Sequence, residues 1–159
     1  MSKKKLVLFY SWSGNTRRVA KSIAAKAGAD LVELQPTVPY PDNYNTTVTQ
    51  AKKEIQNKYD PPLKPVSIDL NAYDVIYLGT PNWWSSIAPP VVSFLHKVMP
   101  ADKTIAPFCT HGGGGEGHIA RDVRTYCIGC DVLPLLCLPE RSIGEEQKID
   151  SWLKQIGQR

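Results

Sequence analysis

No stretch of this chain approaches the roughly 20 consecutive apolar residues of a transmembrane helix, so no helical membrane span is expected. The start Met1-Ser2-Lys3-Lys4-Lys5 has the charge of a secretory leader, but the apolar run at 6–10 is too short and no small-residue cleavage site follows. A cytoplasmic protein is the expectation. There is no internal repeat, no low-complexity tract, no basic stripe and no nucleic-acid-binding motif. A formal net charge of +4 then describes a solvated surface, and nucleic acid is not an expected partner. Cysteine is scarce: of four, only Cys127-Ile128-Gly129-Cys130 form a Cys-x-x-Cys, and the missing second pair argues against zinc. A redox dithiol would favour a helix start, whereas these two fall at an expected helix end, so two unremarkable thiols remain the alternative. Cys109 and Cys137 fall in expected strands as small core residues.

What is present is a single domain's worth of chain, 159 residues with a sizeable core, read as one domain over 1–159. Its most informative stretch is Tyr10-Ser11-Trp12-Ser13-Gly14-Asn15-Thr16, which follows the apolar run at 6–10 and leads into a helical pattern. Hydroxyls, an amide and a glycine stand where helix-start N–H groups are unpaired and the dipole favours an anion, which suits a phosphate monoester. The same residue types also make ordinary turns and N-caps. With no Gly-Lys-Ser/Thr it is not a Walker A loop, and with Gly14 as its only glycine it is not a dinucleotide fingerprint.

Two further loops leave apolar runs in the same way. One is Gly79-Thr80-Pro81-Asn82-Trp83-Trp84-Ser85, and the other is Thr110-His111-Gly112-Gly113-Gly114-Gly115-Glu116-Gly117. Ligands of open α/β sheets lie beyond the carboxyl ends of the strands, so the three loops should converge on one crevice. Trp83 and Trp84 are open to three readings: core residues, a partner-binding patch, or a stacking surface, and their place in a Gly-Thr-Pro loop favours stacking. The glycine run lets backbone come close to a flat ligand and present N–H groups to it. Phosphate at one end, a planar ring on aromatic faces and donors at its polar edge describe the ligand.

In these three motifs the chain resembles the flavodoxin family, specifically short members with a Ser-x-Ser-Gly-Asn-Thr phosphate loop. The resemblance covers nearly the whole chain and implies FMN as cofactor. It implies that Ser11, Trp12, Ser13, Gly14, Asn15 and Thr16 hold the phosphate, that Thr80, Pro81, Asn82, Trp83 and Trp84 run along the isoalloxazine, and that Thr110, His111, Gly112 and Gly113 flank its other side. No catalytic acid or base is assigned. His111 and Glu116 are candidates to supply protons to a reduced flavin, against plain exposed loop residues. A metal set of Cys109, His111, Glu116 and His118 matches no familiar spacing, and no metal is assigned.

Period and punctuation predict five strands alternating with helices: strands near 6–10, 30–35, 73–79, 104–110 and 132–138, and helices at 17–27, 86–98, 119–126 and 143–156. Gly28 ends the first helix, and Pro89 and Pro90 fit only the first turn of theirs. A polar helix near 43–59, inside a proline-flanked connection at 36–65, is read as a lid candidate. Ile149, Trp152, Leu153 and Ile156 form the buried stripe of the last helix. The class is α/β, a doubly wound parallel sheet of flavodoxin-like order 2-1-3-4-5.

The family's best-known members are strongly acidic electron carriers, and this chain is not, so steering toward a basic donor would be weak or reversed. Its positive balance suggests that a negatively charged reduced flavin is less disfavoured here. The favoured function is an FMN-binding oxidoreductase passing electrons from NAD(P)H or a reductase to a small acceptor such as a quinone. The alternatives are a non-enzymatic electron carrier serving a redox protein, and a flavin-binding regulatory or interaction protein.

Overall fold

Three strongly apolar runs, at 6–9, 75–80 and 105–110, form strands that are buried on both faces. A computed structural model describes residues 4–157; Met1 to Lys3, the start of the segment weighed as a leader, lie outside the described residues. The elements are β1 (Lys5–Phe9), α1 (Asn15–Ala27), β2 (Asp30–Glu33), α2 (Tyr44–Gln56), β3 (Val75–Trp83), β4 (Ser86–Ile87), α3 (Pro89–Val98), β5 (Thr104–His111), α4 (Ile119–Tyr126), β6 (Asp131–Val132), β7 (Leu136–Pro139) and α5 (Glu146–Gln155). The sheet runs β2-β1-β3-β5-β6, with β7 also beside β5 and β4 turned back on β3. All pairs are parallel except β3 with β4.

This is the expected doubly wound topology with two differences. The strand expected at 132–138 is broken into β6 and β7, both parallel to β5, with Pro134 between them, a residue that has no N–H to give a ladder. The third strand does not stop at Gly79 but runs on to Trp83, and Ser86 and Ile87 pair back onto it as a hairpin. The helix expected from 86 therefore begins at Pro89, with proline at its first two positions, where a missing N–H costs no helical bond.

Alternation divides the core. Leu6, Leu8, Ile76, Leu78, Ile105 and Cys109 face α3 and α4, with Val91, Phe94, Leu95, Ile119 and Val123 packed on them. Val7, Phe9, Tyr77, Ala106 and Phe108 face α1 and α5, meeting Val19, Ile23, Ile149, Trp152 and Leu153. Trp152 is core, as its helical stripe predicts, and its indole N–H donates to the Pro134 carbonyl at 2.8 Å. Gly79 is required by contact: a Cβ there would sit 2.2 Å from the Phe108 ring.

Candidate functional site

The strand-to-helix turn after β1 is organised by its own residues. The Gly14 N–H donates to Ser11 Oγ at 3.1 Å, and Gly14 adopts φ 100°, a left-handed conformation that glycine takes at no steric cost. Ser11 is buried, and its hydroxyl shapes the turn by accepting that bond. No side chain caps α1 and no acidic residue stands in its first turn, which leaves the first-turn N–H groups and the positive end of the helix dipole available to an anion. Thr16, also buried, bonds hydroxyl to hydroxyl with Thr110 at 2.8 Å and so ties the first loop to the start of the glycine loop. Arg17 is occupied by a two-point ion pair with Glu33, at 2.9 and 2.7 Å.

The second loop is a tight hairpin. Trp84 and Ser85 both have positive φ, 57° and 63°, between the paired residues Trp83 and Ser86. That is the two-residue turn that usually takes Asn-Gly, and non-glycine residues hold it at a cost. Surrounding contacts keep it there. His118 N–H donates to the Ser85 carbonyl at 2.9 Å, and Gly117 lies so close that a Cβ would come within 2.5 Å of that oxygen. Thr80 is turned inward: its hydroxyl accepts from the Ala88 N–H at 2.9 Å and donates to the Pro81 carbonyl, which fixes the entry into α3.

The glycine loop is pinned from two sides. Asn82 Nδ2 donates to the Gly115 carbonyl at 2.6 Å. His111 Nδ1 accepts from both Gly113 N–H and Gly115 N–H at 3.1 Å, which places the neutral ring's proton on Nε2.

Together the three loops border one cleft of about 390 Å³, within the range of small-molecule sites. Trp12, Ser13 and Asn15 line it from the first loop; Pro81, Asn82, Trp83 and Trp84 from the hairpin; Thr110, His111 and Gly112 from the third. Of the remaining sequence candidates, Ser11, Gly14, Thr16 and Thr80 are placed behind the wall in the roles just described, and Gly113 is held by His111. The two tryptophans divide their work. Trp83 packs edge-on against Tyr10 and Tyr40, at 5.6 and 4.9 Å between ring centres, while Trp84 is half exposed at the tip.

Tyr44, Thr47, Val48 and Ala51 of α2 complete the cleft, together with Glu140. Sequence patterning does not identify these five residues, although the connection carrying α2 is a lid candidate. The segment carrying α2 is docked by two indoles: Trp12 donates to the Pro41 carbonyl ahead of the helix at 3.0 Å and Trp84 to the Val48 carbonyl within it at 2.9 Å. Lys52 also lies 5.0 Å over the Trp84 ring.

Three of the four residues of the metal alternative have other hydrogen-bond partners. Cys109 bonds to Cys137, His111 to the glycine loop, and His118 to Asp122 and Ser86. Among the described residues no group of three or more His, Cys, Asp or Glu could hold a metal ion. Cys127 is buried at the C-terminus of α4, and desolvation pushes its thiol up to about 12, the opposite of an activated redox cysteine. Burial likewise raises Tyr10 and Tyr40, each with a further contribution from Glu54.

An uncapped helix start after β1, an aromatic hairpin after β3 and a glycine loop after β5, all opening on one cleft, define an α/β protein built to hold a phosphorylated planar ligand. A family model described as Flavodoxin matches residues 4–156, and the chain belongs to that family, whose cofactor is FMN. Among solved structures it is similar to a candidate flavoprotein from Bacteroides eggerthii, at 28% identity over 98% of this chain and 99% of that one, with a TM-score of 0.86. It is similar to a flavoprotein from Lactobacillus acidophilus in complex with FMN, at 27% identity over 95% and 99% of the two chains, TM-score 0.78. The apo form of the Lactobacillus acidophilus flavoprotein gives 26% identity over 96% and 98%, TM-score 0.69. No curated protein shows significant similarity to the chain. Among the described residues no helix is long and apolar enough to cross a membrane.

Proposed function

We propose that this is an FMN-binding cytoplasmic oxidoreductase that passes electrons from NAD(P)H or a reductase to a small acceptor such as a quinone. The observation that carries the proposal is the pairing, in one cleft, of an α1 N-terminus without a capping side chain or acid and a wall of tryptophans. Ser13, Asn15 and the first-turn N–H groups of α1 are suited to the phosphate, with Ser11 and Thr16 holding their loop in shape. Pro81, Asn82, Trp83, Trp84, Thr110, His111 and Gly112 would border the ring, and Tyr44, Thr47 and Val48 would shield it from water. Bound FMN would supply the redox chemistry, accepting hydride or single electrons, and the protein's part is binding, orientation and electrostatics. The FMN complex of the Lactobacillus acidophilus relative supports the choice of cofactor.

The test is turnover by the purified, FMN-loaded protein with NADPH and a soluble quinone. Sustained oxidation of NADPH that depends on the quinone is the expected result. Reduction of the flavin only through an added reductase would instead identify an electron carrier, and no reduction by either route would overturn the proposal.

A further inference from the structure

Cys109 and Cys137 are 28 residues apart in sequence but stand directly opposite each other on neighbouring parallel strands, β5 and β7. The Cys109 thiol donates to the Cys137 sulfur with 3.4 Å between them, and both are free. Opposed positions on adjacent strands are about 4.8 Å apart, inside the roughly 4.4–6.8 Å Cα range of disulfides. Closing the sulfurs to about 2.05 Å therefore needs side-chain adjustment rather than a new register.

We propose that Cys109 and Cys137 are a redox dithiol that a small hydroperoxide converts to a cross-strand disulfide beneath the cofactor cleft. The two sulfurs are unequal. Cys109 is fully buried, whereas Cys137 is partly exposed on an edge strand. The hydrogen bond from Cys109 lowers the Cys137 thiol, against the opposing effects of burial and the Glu116 carboxylate. That same bond, with burial and Glu116, raises Cys109. Cys137 is thus the attacking sulfur. Its thiolate attacks the distal oxygen of the hydroperoxide; the S–O bond forms and the O–O bond breaks, giving a sulfenic acid and, after protonation of the leaving proximal oxygen, an alcohol or water. Cys109 then attacks the Cys137 sulfur; the S–S bond forms, the S–O bond breaks, and the Cys109 proton leaves with hydroxide as water. A small oxidant suits a site where one sulfur is buried and the other only partly open.

The position gives the bond a consequence. Thr110 and His111 follow Cys109 and pair with Leu138 and Pro139, and Glu140 comes next, against Gly112 in the cleft. The disulfide would pin β7 to β5 one residue below the glycine loop. It needs no bound cofactor, so it stands or falls independently of the oxidoreductase assignment.

The test is to treat the full chain with hydrogen peroxide, alkylate the remaining thiols and map the digest by mass spectrometry. The expected result is loss of two of the four thiols, a mass decrease of about 2 Da and a Cys109–Cys137 linked peptide, all retained in the Cys127→Ser/Cys130→Ser variant. Cys109→Ala should stop at a Cys137 sulfenic acid that dimedone traps; should that variant fail to fold, the wild-type map decides alone. A Cys127–Cys130 linkage, four unreacted thiols, or Cys137 over-oxidised while Cys109 stays free would each overturn the proposal.

Discussion

Single atoms in the cleft wall separate residues that would touch a ligand from residues that shape the loops. Ser13 is exposed at the α1 start, so Ser13→Ala should weaken FMN by about 10- to 100-fold, the worth of one hydrogen bond to a charged group, with no change in melting temperature. Thr16→Val should lower both affinity and stability, because it strands the buried Thr110 hydroxyl at a cost of about 1–3 kcal/mol. Isothermal titration and thermal melts of both variants check the pair; equal melting temperatures would contradict the inward role of Thr16. His111→Ala should release the Gly113 and Gly115 amides, read as faster hydrogen exchange at those two residues, and His111→Asn should restore part of the protection through its acceptor oxygen. The sequence identified these positions because hydroxyls, glycines and a histidine recur in loops that each leave an apolar run. It could not tell Ser13, lining the cleft, from Ser11, bonded within the turn, because that depends on the three-dimensional turn in which the Gly14 N–H reaches back to Ser11.

Elements were legible where a pattern was long and local. The stripe of α5 and the α4 bounds at 119–126 follow from side-chain period alone, and so do the apolar strands. Where pairing between distant segments decides, the pattern was silent. Thr80 to Trp83 read as loop but extend β3, since Thr80 and Pro81 pair with Cys109 and Thr110 of β5 and Ser86 and Ile87 return to pair with Trp83 and Asn82. The cleft-facing side of α2 carries Tyr44, Thr47, Val48 and Ala51, too mixed in polarity to announce a wall. The hairpin itself stores strain at Trp84 and Ser85. Ser85→Gly should therefore raise stability by about 1 kcal/mol, seen as a higher urea midpoint at unchanged slope. A lower midpoint would mean that the turn is not strained. Gly117→Ala should do the reverse and displace the hairpin tip, since the added methyl meets the Ser85 backbone.

At the scale of the whole molecule, net charge misdescribes the site. The chain carries +4, yet among the described residues that line the cleft the formally charged side chain is Glu140, while Lys52 sits outside that lining over the Trp84 ring. At the cleft the expectation that positive charge favours a negatively charged reduced flavin meets the Glu140 carboxylate, whose charge opposes it. Glu140→Gln should raise the midpoint potential of bound FMN, and neutralising the exposed Lys21 should leave it unchanged, by spectroelectrochemical titration. Burial also sets the molecule's alkaline limit. The Cys127 thiol is raised from 9.0 to about 12 and the Tyr77 hydroxyl from 10.0 to about 12, with Tyr10 and Tyr40 raised as well. Below pH 9 both states keep these protons and stability is complete. Between about 9 and 12 the unfolded chain releases protons that the folded chain retains, so stability should fall by up to about 1.4 kcal/mol per pH unit for each group. Urea midpoints that stay flat over that interval would contradict the burial of these side chains. The central claim is that the α1 start holds a phosphate while the aromatic wall holds a ring, and the most direct measurement is a comparison of FMN with riboflavin binding by titration calorimetry. Tight FMN binding with riboflavin weaker by at least about tenfold is the predicted result; equal affinities, or no binding of either at micromolar protein, would contradict it.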